Sequence, residues 1–161
     1  MKKRFSSYEE YASYFSSLIR LEREAQRELH LKEIKTLTGK ERERRGRALL
    51  GLRARKLGRG LGGFYLVRYE RREPFPKTEI SVGDVVLVSR GRPTGREVQA
   101  TVAEKGRNYL VLAFPDEPPP YALGRSVRVD LFSNEVTFKR MEEALRRVKE
   151  HPLLKRLLGL K

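Results

Sequence analysis

A set of basic residues in the middle of the sequence has the types and spacing needed to bind phosphate groups. They fall into three groups, each beside glycine or proline residues that favour turns. Gathered on one rim of a small domain, they would form an electrostatic groove for a nucleic-acid backbone, with tyrosine rings to stack on bases. The alternative is a generally solvated basic surface. The basic candidates are Arg53, Arg55, Lys56, Arg59, Arg90, Arg92, Arg96, Lys105 and Arg107, and the stacking candidates are Tyr65, Tyr69 and Tyr109.

Residues that usually perform catalysis are scarce and scattered. Two histidines occur, His30 in a polar helical segment and His151 before a proline, and both are predicted to be exposed side chains that share no metal. Asp84 and the pair Asp116 and Glu117 stand in turn-like segments, where local hydrogen bonding favours acidic residues. The sequence therefore predicts no catalytic residue and no metal site in this chain.

A nucleotide-binding loop is not predicted either. A P-loop needs a glycine five positions before its Gly-Lys pair and a serine or threonine after the lysine. The pair Gly39 and Lys40 has Ile34 and Glu41 at those positions. The glycine-rich run 58–63 lies between two strand-like segments and predicts a hairpin turn. No cofactor is therefore expected in this chain.

Charge and composition restrict the class of partner. The chain has 161 residues, with 36 lysines and arginines against 21 acidic residues and a formal net charge of +15. Such a field attracts polyanions, so nucleic acid is the expected partner, and no feature predicts base-edge readout. We expect no membrane partner, no signal peptide and an intracellular location, cytoplasmic or nucleoid-associated. Cysteine is absent, which excludes disulfides and cysteine-based zinc sites.

The first part of the chain predicts one long helix and one short helix. From Tyr8 to Leu37 there is no proline or glycine, and apolar residues recur at helical spacing. About 30 residues rise about 45 Å, more than a small domain can cover, so this helix is expected to form a stalk. Thr38 and Glu41 have the spacing of a capping box, and Gly46 suits the end of a short helix.

The middle of the chain changes to the alternating pattern of β-strands. Val98, Ala100 and Val102 alternate with polar residues, which indicates one core face and one solvent face. Short strands of this kind cannot leave long apolar edges exposed, so closure into a small antiparallel barrel, SH3-like or OB-like, is favoured. The predicted strands run from Ala48 to Arg55, Phe64 to Tyr69, Asp84 to Ser89, Val98 to Ala103, Tyr109 to Phe114 and Ser126 to Leu131.

A second long helix is predicted after the barrel. Ser133 or Asn134 would cap it, and an apolar face follows that includes Val136, Met141 and Leu145. Two unpaired apolar stripes on one short chain are expected to pack together as an antiparallel stalk. The predicted fold class is α+β, with a barrel inserted between two long helices.

The predicted domain organisation follows from these elements. Residues 1–37 form the first stalk helix, 38–46 a short capped helix, 47–131 the β-barrel and 132–150 the second stalk helix. Residues 151–161 are rich in leucine and are interpreted as the start of a link to a missing motor domain. On this interpretation the chain is a truncated piece of a larger protein.

Five segments carry a family resemblance. They are Leu21–Ala25, Glu43–Leu52, Gly60–Gly63, Val82–Val86 and Ser133–Met141. In their order and spacing they resemble the start of an immunoglobulin-mu-binding-protein type of superfamily 1 DNA/RNA helicase, a group related to the nonsense-mediated-decay helicases. The resemblance covers nearly the whole chain and corresponds to the stalk and β-barrel called accessory domain 1B.

The resemblance implies a binding role and no catalysis in this chain. In that family the barrel sits on a stalk beside the first RecA-like motor domain and holds or gates single-stranded DNA or RNA. ATP and Mg²⁺ belong to the parent's motor, whose motifs do not map onto this chain. The alternative is a module that docks a protein or the ribosome and couples to the motor without gripping a strand. A stalk separated from its parent is also expected to self-associate.

Overall fold

The computed structural model describes residues 7–157 and 159, so parts of the predicted first stalk helix and of the predicted link lie outside the described residues. The described residues fall into two units, one formed by Gln26–Val136 and the other by the residues before and after that range. The helices are α1 (Tyr8–Thr36), α2 (Gly39–Arg44), α3 (Glu135–Glu150) and α4 (Pro152–Leu157). None of these helices is long and apolar enough to cross a membrane.

Six antiparallel strands form a closed barrel within the Gln26–Val136 unit. Around the barrel their order is β1, β2, β5, β4, β3 and β6, and β6 pairs again with β1. The predicted barrel is therefore confirmed. The strands are β1 (Ala48–Arg59), β2 (Tyr65–Glu70), β3 (Val85–Arg90), β4 (Val98–Lys105), β5 (Tyr109–Phe114) and β6 (Val127–Ser133).

The barrel interior is filled by the alternating apolar residues that the sequence indicated. Ala100 and Val102 of β4 point inward and are almost fully buried, as are Val127, Val129 and Leu131 of β6. Burying such side chains contributes about 1.5–3 kcal/mol each relative to leaving them exposed, so this core is the main source of the barrel's stability.

The two ends of the barrel carry different connections. The turn end holds the β1–β2 turn (60–64), the β3–β4 turn (91–97) and the β5–β6 connection (115–126). The helix end holds the start of β1 after α2, the end of β6 before α3, and the β4–β5 turn (106–108). This assignment follows from the antiparallel pairing of all neighbouring strands.

The later part of α1 packs on the outer wall of the barrel. Ile34 forms a small buried cluster with Leu87 of β3 and Phe132 of β6, whose side chains point away from the interior. At the start of α3, the side-chain amides of Gln26 and Asn134 form a 2.9 Å hydrogen bond, and the Asn134 N–H donates to the Gln26 carbonyl oxygen at 2.7 Å. Asn134, the residue before α3, is therefore held to α1 by two hydrogen bonds.

Residues of α1 and α3 contact each other in the unit outside Gln26–Val136. The Tyr8 hydroxyl donates to the Leu145 carbonyl at 3.3 Å, and Lys149 lies over the Tyr8 ring. Arg23 forms an ion pair with Glu142 at 3.3 Å and lies over the ring of Phe138. Within this unit the two helices therefore contact each other through a hydrogen bond, an ion pair and cation–π interactions.

The apolar stripe of α1 differs from its predicted course in the second half of the helix. The apolar residues that recur at helical spacing in the sequence include Leu29, which is exposed, whereas His30 and Ile34 are buried. The sequence does not show this apolar face clearly, because Arg27 also lies on the buried side of the helix. Its guanidinium is 5.2 Å from the ring centre of Phe132. A long charged side chain can cover apolar surface through its stem, which a hydrophobic pattern does not reveal.

Gly46 ends α2 as predicted, and its conformation yields a stability prediction. It has φ of +79°, and a Cβ there would lie 3.0 Å from the Lys77 carbonyl oxygen. Gly46→Ala is expected to lower the free energy of unfolding by about 2–3 kcal/mol, from left-handed strain plus the clash. Urea denaturation would measure this loss.

Gly51→Ala is the matched control for this prediction. Gly51 also has positive φ, +66°, but open space surrounds its missing Cβ, so only the strain of about 1 kcal/mol should appear. Equal losses for the two variants would contradict the steric part of the argument.

Candidate nucleic-acid interface

Two of the three predicted basic groups contribute residues to the turn end of the barrel. Arg59 ends β1 beside the β1–β2 turn, while Arg90, Arg92 and Arg96 end β3 or lie in the β3–β4 turn. All four side chains belong to exposed residues. Each of the two groups lines a separate cleft, and residues of the β5–β6 connection line both clefts.

The cleft beside the β1–β2 turn is small and mostly apolar. It has a volume of about 200 Å³ and is lined by Arg59 and Tyr65 on one side and Glu117 and Pro118 on the other. Arg59 donates to the Tyr65 hydroxyl, which raises the pKa of Arg59, and its guanidinium lies 4.7 Å from the centre of the Tyr65 ring. One face of Tyr65 is therefore occupied by an arginine.

The cleft beside the β3–β4 turn is more strongly cationic. It has a volume of about 330 Å³ and its lining includes Arg90, Arg92 and Arg96 together with Ser89 and Tyr121. Tyr121 and Ser89 were absent from the candidates chosen by sequence. Their role as lining residues depends on how the β5–β6 connection folds back over β3, which no local motif announces.

The third basic group lies at the opposite end. Lys105 ends β4 and Arg107 lies in the β4–β5 turn, so both belong to the helix end. The three groups therefore do not converge on one rim. Arg53 and Arg55 lie in the first strand, as predicted, but β1 continues to Arg59, so both are on its exposed face and away from the turn. Lys56 is exposed and lines the smaller cleft.

The tyrosine candidates for base stacking have different environments. Tyr69 is a correction: its side chain is fully buried in the barrel core and its hydroxyl donates to the Ala122 carbonyl at 2.7 Å, so it offers no stacking face. Burial also raises the pKa of Tyr69. Tyr109 is partly exposed, but Arg68 lies 3.9 Å from its ring centre. Its hydroxyl donates to Glu104, which raises the pKa of Tyr109.

A buried polar network that the sequence did not indicate joins α1, α2 and β6. Arg42 is fully buried and uses all five of its N–H groups. Two of its nitrogens bond to carboxylates, at 2.7 Å to Glu33 and 3.2 Å to Asp130, and another bond reaches the His30 ring. The remaining two N–H groups donate to the carbonyls of Arg47 and Leu131.

Both carboxylates in this network have a second cationic partner. Arg128 bonds Asp130 through two nitrogens, at 2.6 and 2.9 Å, and Arg47 bonds Glu33. Arg128 and Asp130 alternate along β6 with the inward-pointing Val127, Val129 and Leu131, so their side chains point out of the barrel, yet both residues are buried.

His30 is a second correction, since it was predicted to be exposed and is 3% exposed. Its Nδ1 lies 3.1 Å from an Arg42 nitrogen, so the ring accepts that hydrogen bond in its neutral form. Burial and the charge of Arg42 lower the pKa of His30 to about 4.

Asp84 serves the turn before β3, as predicted. Its Oδ2 accepts from the Ser81 N–H at 2.9 Å and from the Asn134 amide at 3.2 Å. Burial raises the pKa of Asp84, and these hydrogen bonds oppose the rise. In the part of the chain that the structure describes, no cluster of histidine and acidic residues could hold a metal ion.

A comparison with known proteins finds similarity to part of one helicase. The chain is 46% identical over 136 residues to an uncharacterized ATP-dependent helicase of Methanocaldococcus jannaschii. The match covers 84% of this chain but 20% of that protein, so the chain spans about a fifth of the length of this curated relative. No family model matches the chain.

Proposed function

We propose that this chain is a nucleic-acid-binding accessory region of an ATP-dependent helicase, in which the barrel holds or gates a single strand of DNA or RNA. ATP and Mg²⁺ act in RecA-like motor domains of the parent protein, which are also its structural partners. The resemblance to superfamily 1 helicases supports accessory domain 1B as the place of this region in the parent.

The observation that carries the proposal is the pair of arginine-bearing groups at the turn end of a barrel whose sequence resembles part of a helicase. The groups lie on either side of the β5–β6 connection and have exposed guanidiniums. A net charge of +15 adds a long-range attraction for polyanions. Phosphate contacts of this kind position a strand without reading its bases.

The contacts between α1 and α3 support an antiparallel stalk in the same proposal. Tyr8, near the start of α1, meets Leu145 late in α3, whereas Arg23 meets Phe138 and Glu142 earlier in α3. Residue numbers rise along one helix as they fall along the other. A paired stalk of this kind could link a barrel to a motor domain.

Fluorescence anisotropy with a labelled single strand tests the proposal, with Arg59 and Arg96 both changed to glutamine to take one cation from each side of the turn end. Each phosphate contact contributes about 0.7 to the slope of log affinity against log salt on single strands. The variant is therefore expected to bind at least tenfold more weakly at low salt and to show a slope reduced by about 1.4 between about 50 and 200 mM salt.

The matched control changes Lys105 and Arg107, at the helix end, to glutamine. It removes the same net charge, so a general effect of charge would weaken both variants equally. Retained binding in the control and lost binding in the turn-end variant would support the proposal. No salt-sensitive binding by the unaltered chain would overturn it and favour the docking module.

A further inference from the structure

Ser89 is a buried polar residue without a visible partner in the cleft beside the β3–β4 turn. It is 2% exposed, and its hydroxyl oxygen makes no hydrogen bond to any residue in the described ranges 7–157 and 159. Leaving a buried hydroxyl unpaired costs about 1–3 kcal/mol, so such groups usually mark a missing partner. The residue lies in β3 and is the only buried one among those lining this cleft.

Three guanidiniums share the same cleft. Arg90, Arg92 and Arg96 form no ion pair with a carboxylate of any described residue, although Arg92 donates to the Lys35 carbonyl. Like charges brought together repel one another unless an anion joins them. The lining of the cleft therefore combines uncompensated positive charge with a buried serine whose hydroxyl has no partner among the described residues.

The acidic residue in the cleft is already engaged by its own turn. The Glu97 carboxylate accepts from the N–H and hydroxyl of Thr94 at 2.5 and 2.9 Å, and from the Gly95 N–H at 2.8 Å. These bonds fix the β3–β4 turn and direct both oxygens toward it. Glu97 therefore stabilises the turn and does not neutralise the arginines, whose guanidiniums can bind a ligand.

We propose that this cleft seats one phosphate group of the bound single strand, held by the Ser89 hydroxyl and the guanidiniums of Arg90 and Arg96. This inference rests on the proposed function and adds the position and the residues of a contact. Arginine forks bind phosphate oxygens in pairs, and a serine hydroxyl supplies one further donor.

The shape of the cleft suits a backbone phosphate. Its volume of about 330 Å³ is ample, since one water needs on the order of 15 Å³. Tyr121 forms another part of the lining, and its hydroxyl is fixed by the Val98 N–H at 2.9 Å. Tyr121 is 37% exposed, and its ring would lie beside the sugar or base next to the seated phosphate.

Two single substitutions in the whole chain test the seat. Ser89→Ala removes a hydroxyl that has no partner in the free protein, so the urea midpoint should be unchanged or raised. Its affinity for a labelled oligothymidine strand should nevertheless fall by about tenfold to a hundredfold, the usual range for one lost hydrogen bond to a charged group. Arg90→Gln should weaken binding and lower the salt slope by about 0.7.

Arg107→Gln at the helix end is the control, with affinity and slope close to those of the unaltered chain. Full binding by both cleft variants would overturn the seat and leave the proposed function standing. No strand binding by the unaltered chain would overturn both. A thermal shift with inorganic phosphate but none with the strand would also overturn the seat, because the cleft would then hold a free anion.

Discussion

Arg42→Met is expected to lower the free energy of unfolding by about 3–5 kcal/mol, the usual loss when one member of a buried ion network is removed. The substitution keeps a similar volume but leaves five acceptor groups without their donor: two carboxylates, two carbonyls and the His30 ring. Since small domains are stable by only about 5–15 kcal/mol, this change would bring the barrel close to unfolding. Urea denaturation followed by circular dichroism measures it.

Two further variants sharpen the Arg42 experiment. Arg44→Met alters an exposed arginine of the same helix and should change stability by less than about 0.5 kcal/mol. Arg42→Lys keeps the charge but has three donors in place of five, so it should fall between the two. A loss below about 1 kcal/mol for Arg42→Met would show that desolvation of the network cancels its attraction.

The stability of the barrel is expected to fall by about 2 kcal/mol between neutral pH and pH 5 because of His30 alone. Its pKa is about 4 in the folded chain against 6.5 for an ordinary histidine. Between these values the unfolded chain binds a proton that the folded chain does not. The contribution of the neutral ring is therefore fully present above pH 6.5 and is lost as the pH falls toward 4. Unfolding in urea at a series of pH values measures the slope.

His30→Asn isolates the contribution of this histidine from the rest of the pH profile. The amide oxygen of asparagine can accept the hydrogen bond from Arg42 in place of Nδ1, but the side chain does not ionise. In the variant, the part of the fall in stability that comes from His30 should disappear, and the rest of the dependence of stability on pH should remain. Parallel profiles for the variant and the unaltered chain would contradict the assignment.

The barrel could be predicted because the sequence patterns that indicate its strands and turns each extend over only a few residues. The alternation of Val98, Ala100 and Val102 and the glycines between β1 and β2 each indicate structure within a few residues. Strand ends were less accurate, because Arg59 and Lys105 pair through the backbone while their side chains carry no apolar pattern. The Thr38 cap was also local, and its hydroxyl does accept the Glu41 N–H.

The Arg42 network and the Ser89 cleft could not be predicted for the opposite reason. Glu33 and Arg42 lie on consecutive helices, but Asp130 comes 88 positions after Arg42, and each residue alone resembles an ordinary surface charge. The site was predicted in part. The sequence shows which basic residues lie beside turns, but the end of the barrel to which each group belongs depends on the order and direction of the strands. Tyr69 was misassigned because aromatic residues on a strand serve equally as core or as stacking surface.

The way the chain enters and leaves the barrel sets its response to mechanical load. β1 begins and β6 finishes as antiparallel neighbours at the same end, where the Leu131 N–H donates to the Arg47 carbonyl at 2.9 Å. Tension that draws the two flanking helices apart would break the hydrogen bonds between β1 and β6 one after another. Breaking them in sequence needs less force than breaking all of them at once. At the start of this pair, Arg42 donates to the backbone carbonyls of both Arg47 and Leu131. The Arg42 bonds must therefore break before β1 and β6 can separate from this end.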